Sequence, residues 1–105
     1  MGARSSQVVT VVIRRLPVTA RPEVQAKMDR LRAAARQYPG YQGADDTYLP
    51  ATDTHVDLVT LFRFDCRKNL KRWEGAPERK RLIAEVDRQC LEISDRAAFD
   101  GLSLL

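Results

Sequence analysis

The chain has 105 residues, of which 44% are hydrophobic and 30% charged, the profile of one globular domain and not of a disordered tail. The net charge of +4 is mostly arginine, with lysine only at Lys27, Lys68, Lys71 and Lys80; so modest an excess, common in GC-rich bacterial genomes, reads as a solvated surface and not as a nucleic-acid interface. The longest mostly apolar run, Val8 to Ile13, is far short of the roughly 20 residues of a membrane helix, so no membrane partner is expected.

Met1 to Ser6 formally fits a myristoylation pattern, here read as a chance match, and no hydrophobic leader core follows it. From Gln7 to Arg15 the β-branched residues predict a strand, ended by Pro17. Between Thr19 and Gln37 the apolar residues Val24, Met28, Leu31 and Ala35 recur at steps of three and four, the signature of one amphipathic helix. Pro22 suits its first turn, and Tyr38-Pro39-Gly40 supplies its stop. Tyr41–Leu49 and Val56–Phe64 read as two strands of a hairpin around the turn-rich Pro50–Thr54.

Asp65 is the expected N-cap of a short helix that carries Leu70 and Trp73 on one face and ends at Gly75. Pro77 opens a further helix with the apolar stripe Leu82, Ile83, Val86 and Cys90. After Ile93 the pattern weakens, and residues 94–105 read as either a final edge strand, over Phe99–Leu105, or a tail. The two cysteines, Cys66 and Cys90, have neither CxxC nor Cys/His spacing, which predicts reduced thiols, a cytoplasmic location and no metal site.

This order, βαββαβ, is that of an α+β, ferredoxin-like fold in a single domain over residues 1–105, with its core in residues 7–93 and its helices on one face of the sheet. Yet both parities of two strands are apolar, Val9, Val11 and Ile13 opposing Val8 and Val12, and Val59 and Leu61 opposing Leu58, Phe62 and Phe64. Leaving the five side chains of the second face in water would forgo roughly 8–15 kcal/mol, comparable with the net stability of a domain. A homodimer, its sheets packed face to face, is the expected cover.

The run Phe64 to Arg79, which contains Leu70-Lys71-Arg72-Trp73 and Ala76-Pro77-Glu78-Arg79, together with Tyr38-Pro39-Gly40-Tyr41 upstream, resembles the antibiotic biosynthesis monooxygenase family over roughly Val9 to Cys90. The resemblance implies a dimeric α+β barrel. It implies cofactor-independent oxygenation of a flat phenolic or quinol-like molecule, with no flavin, haem or metal, although activities in the family are diverse. In its haem-degrading branch the first strand carries an asparagine and a histidine ligates iron. Those positions fall here at Arg14 and near Ile83, which cannot bind iron.

Within that expectation Trp73 and Arg14 are the candidate catalytic residues, and Arg63, Tyr41, Tyr48 and Phe62 the candidate substrate-binding ones. Each has a structural alternative. Trp73 is either an aromatic wall with one N–H donor or an anchor between helix and sheet. Arg14 and Arg63 either hold an oxyanion, lie at the sheet rim, or pair with Asp45, Asp46, Asp57 or Asp65. Tyr41 and Tyr48 offer hydroxyls or simply pack.

His55, the only histidine, lies beside a turn and reads as a solvated loop residue, not a base. The chain lacks Ser/His/Asp and Cys/His constellations, a P-loop and GxGxxG, which sets aside hydrolase, kinase and metalloenzyme classes. An RNA-recognition motif would need glycine and aromatics in Val59–Phe64, and there is no glycine there. The rival to an oxygenase is a non-catalytic homodimer that binds a small hydrophobic or aromatic ligand or acts as an interaction module.

Overall fold

The β-branched opening run forms β1, Val8–Pro17, and its alternation decides what faces the helices: Val8 and Leu16 are core residues. The computed structural model describes residues 7–100. A single 3-10 turn, Val18–Ala20, leads into α1, Arg21–Ala35, whose buried stripe is Val24, Met28, Leu31, Ala34 and Ala35. The helix ends at Ala35, ahead of the Tyr38-Pro39-Gly40 stop; in the turn that follows, Gly40 takes φ 84° and its carbonyl accepts from the amide of Asp65 at 2.9 Å. Strands β2, Tyr41–Pro50, and β3, His55–Phe64, then form the expected hairpin.

The short helix α2, Arg67–Glu74, starts one residue later than Asp65 capping predicts. Its N-cap residue is Cys66, without a side-chain cap, and the Asp65 carboxylate accepts instead from Asn69 Nδ2 at 2.8 Å. Pro77 opens α3, Pro77–Asp87, which buries Leu82 and Val86 against the core with Ile83 and Cys90 beside it.

A second difference concerns the last strand. β4 is Glu92–Asp100, antiparallel to β1, so it begins seven residues before Phe99; residues 101–105 of the expected strand, like residues 1–6 with the myristoylation pattern, lie outside the described residues. Backbone pairing to β1 over eight positions outweighs the weak side-chain pattern of Glu92–Asp100.

The sheet is antiparallel throughout in the order β2-β3-β1-β4, and the helices pack on one face. The core lies between them, with Leu58, Phe62 and Phe64 of β3 meeting Met28, Leu31, Leu70, Trp73 and Val86. On the opposite face, Val11, Ile13, Val59 and Leu61 are half-buried, whereas Val9 is fully buried within the single chain. No described helix is long and apolar enough to cross a membrane.

Candidate functional site

Midway along the sheet, β1 and β3 place Thr10, Val12, Arg14, Thr60 and Phe62 on the helix side, under Met28 and Leu31 of α1 and under Leu70 and Trp73 of α2. Glu74, Arg79 and Ile83 complete the lining of this cleft. It encloses about 360 Å³ out to its mouth, but only about 20 Å³ can hold a water-sized body, room for roughly one water. Its own side chains fill it, so a flat ligand enters only as they shift.

Trp73 is 2% exposed and stands between two rings, Tyr38 edge-on at 5.1 Å and Phe62 stacked at 6.2 Å. It is thus core anchor and cleft wall at once. Its hold on Phe62 also fixes the ring that forms the floor beside Thr60.

Arg14, 2% exposed, donates from Nε to Asp87 Oδ1 at 2.9 Å. A guanidinium this deep requires a counter-charge, and Asp87 at the last position of α3 provides it across 73 residues of sequence. The pair lies beside Cys90. Burial pushes that thiol above its ordinary value of 9.0, with the Arg14 charge opposing the rise.

The other sequence candidates separate from this group. Arg63 stands on the sheet face away from the helices, where it pairs with Asp45. Tyr48 packs at the start of α1: its hydroxyl donates to Gln25 Oε1 at 2.7 Å, and the Arg21 guanidinium sits 4.1 Å from its ring centre. Burial raises the ionisation of that hydroxyl above 10.0, helped by Asp46 and opposed by Arg21. Tyr41 packs edge-on against Phe64 at 5.9 Å, outside the cleft lining. Phe62 lines the cleft with Trp73 and Arg14. His55 opens β3, its Nδ1 within 2.7 Å of the Thr54 hydroxyl.

Two residues of the cleft, Glu74 and Thr60, and the Asp87 partner of its Arg14 escape sequence reasoning. Asp87 and Glu74 look like ordinary helix-surface carboxylates, and nothing local ties either to the sheet. Thr60 looks like a strand filler, although its parity with Leu58 and Phe62 marks it as an inward hydroxyl. Among the described residues, no group of three or more His, Cys, Asp or Glu is placed to hold a metal ion.

No family model matches the chain. An uncharacterised protein of Synechococcus elongatus is 23% identical over 86 residues, and the chain spans 41% of its length. Solved structures align over nearly the whole chain. A candidate antibiotic biosynthesis monooxygenase of Nitrosomonas europaea superposes with TM-score 0.76 at 14% identity, covering 99% of this chain and 98% of its own. Rv0793 of Mycobacterium tuberculosis gives 0.70 at 22% identity, covering 94% and 96%. SnoaB, a cofactor-independent oxygenase of Streptomyces nogalater, gives 0.70 at 20% identity over 95% and 98%. The chain therefore has the fold of the antibiotic biosynthesis monooxygenases, the family that its Tyr38-Pro39-Gly40 and Leu70-to-Arg79 motifs resemble.

Proposed function

We propose that the protein is a cytoplasmic homodimeric monooxygenase that oxidises a flat phenolic or quinol-like molecule without flavin, haem or metal. The observation that carries this reading is the mostly apolar cleft walled by Trp73 and Phe62, with the buried guanidinium of Arg14 on its floor. Ionisation of the substrate hydroxyl makes the ring electron-rich. The ring anion passes one electron to dioxygen, the radical pair closes a C–O bond, the proton taken from the substrate returns to the peroxide, and the hydroperoxide, on a ring carbon that keeps one hydrogen, loses water to leave C=O. One oxygen atom stays in the product, the other leaves as water, and dioxygen is the sole oxidant.

In this scheme Trp73 stacks on the substrate, Arg14 stabilises its oxygen, and Glu74, the one carboxylate among the described lining residues, takes the proton. The second face of the sheet, with Val11, Ile13, Val59 and Leu61, packs on the same face of another copy.

The test is oxygen uptake by purified protein over hydroxylated anthrones, naphthols and quinols, with Trp73→Phe alongside. Saturable uptake that falls tenfold or more in the variant, about 1.4 kcal/mol of transition-state stabilisation, supports the reading. Binding of these compounds without uptake replaces it with a ligand-binding module of the same fold.

A further inference from the structure

Two polar groups stand on the cleft floor. Thr60 is 3% exposed, and its Oγ1 has no partner. Arg14, which also lines the cleft, commits Nε to Asp87, the hydrogen bond recorded for its guanidinium among the described residues. A buried hydroxyl such as that of Thr60 is rarely left unsatisfied, and one that is calls for an explanation.

The strand register relates the two groups. Thr60 faces Val12 across the β1–β3 ladder, and Leu58, two residues away, faces Arg14. Thr60 and Arg14 are therefore diagonal neighbours on the helix side, at the spacing of about 7–8 Å that long side chains bridge. The contact to Asp87 turns the Nε edge of the guanidinium toward α3 and leaves its other edge for the cleft. A forked pair of N–H donors beside one hydroxyl, under two aromatic walls, matches an oxygen anion on a flat apolar body.

We propose that the cleft contains an oxyanion subsite, in which the Nη groups of Arg14 and the hydroxyl of Thr60 bind one carboxylate or ionised hydroxyl of the ligand. Thr60 is the residue that favours the anion over a neutral molecule of the same shape, and Asp87 is a positioning residue that aims the fork. The inference rests on the reading of this cleft as the ligand site and specifies what that ligand carries. A neutral ligand of the same outline leaves the Nη edge unmatched and is bound more weakly.

Calorimetric titration of the full chain compares 2-naphthoate with 2-naphthamide, and 2-naphthol below and above its own ionisation. The expected result is at least tenfold tighter binding of one anion than of its neutral counterpart. Preference in the naphthoate arm identifies a carboxylate ligand, and preference in the naphthol arm an ionised hydroxyl. Thr60→Val, nearly isosteric and uncharged, cuts the preference several-fold, and Arg14→Gln abolishes it; if Arg14→Gln fails to fold, Thr60→Val alone decides.

Anion and neutral probes bound equally, or a preference unchanged in Thr60→Val, overturns the proposal. Oxygen uptake with equal binding would leave the oxygenase reading standing without this subsite. Anion preference without uptake would leave the subsite standing without the oxygenase. Failure of every probe to bind overturns both.

Discussion

Replacing Gly40 with alanine tests whether the turn after α1 fixes the entry to α2. Gly40 holds φ at 84°, where a side chain is strained by about 1 kcal/mol. A Cβ there would also lie 2.2 Å from Asp65 Oδ1, 2.6 Å from Asn69 Nδ2 and 2.9 Å from Asn69 Cβ. The first two atoms end side chains and can swing away at the loss of their 2.8 Å mutual hydrogen bond, which lies exposed. Asn69 Cβ cannot, so the turn itself must shift and stretch the 2.9 Å bond from the Asp65 amide to the Gly40 carbonyl.

The sum is about 2–3 kcal/mol, or a melting temperature lower by roughly 10–20 °C for a domain of this size. Urea unfolding followed by circular dichroism at fixed protein concentration measures it. In an Asp65→Ala background, where the nearest atom and the hydrogen bond are both already gone, the cost of Gly40→Ala falls to about 1–2 kcal/mol. A loss below about 0.5 kcal/mol in the parent protein, or an equal loss in both backgrounds, would refute the argument that the turn is sterically filled.

Asp87→Ala removes the counter-charge of the buried Arg14 and should destabilise by about 2–3 kcal/mol, less than a fully buried pair because Asp87 is a quarter exposed. Arg14→Met with Asp87→Ala should recover most of that loss in the same urea assay. Hydrogen bonds from Arg15 hold the Asp57 carboxyl below its ordinary 3.8, and the Asn69 amide does the same for Asp65. Their contribution is present above that value and is lost as pH falls through the lowered folded values. Asp57→Asn should therefore flatten the loss of urea midpoint below about pH 4. Leu61→Arg, on the half-buried second face of the sheet, should yield monomers by light scattering at micromolar concentration; a wild type already monomeric there would refute the dimer.

Most of the fold is legible in the sequence because local pattern and tertiary burial agree. The β-branched run of β1, the three-and-four spacing of Val24, Met28, Leu31 and Ala35, and the Pro-Gly stop each point to the element that forms. Agreement fails at β4, where the leucines at 102, 104 and 105 draw the eye past the segment that actually pairs with β1.

The cleft is less legible for a different reason. Strand alternation tells which residues share a face but not which face the helices cover, so Arg63 and Arg14 look equivalent until helix packing separates them. Asp87 is out of reach of any local pattern, since only the packing of α3 onto the sheet brings it to Arg14.

The position of β1 has a consequence for how the molecule is made. It is the first of the described elements yet lies inside the sheet, between β3, which starts at His55, and β4, which starts at Glu92. As the polypeptide emerges from the ribosome, ten residues of strand with apolar side chains on both parities wait without a partner through the synthesis of α1 and β2. Such a segment can pair with another copy of itself before its proper neighbour exists. Slowing synthesis by lowering the expression temperature, or supplying a chaperone that shelters nascent strands, should raise the folded yield.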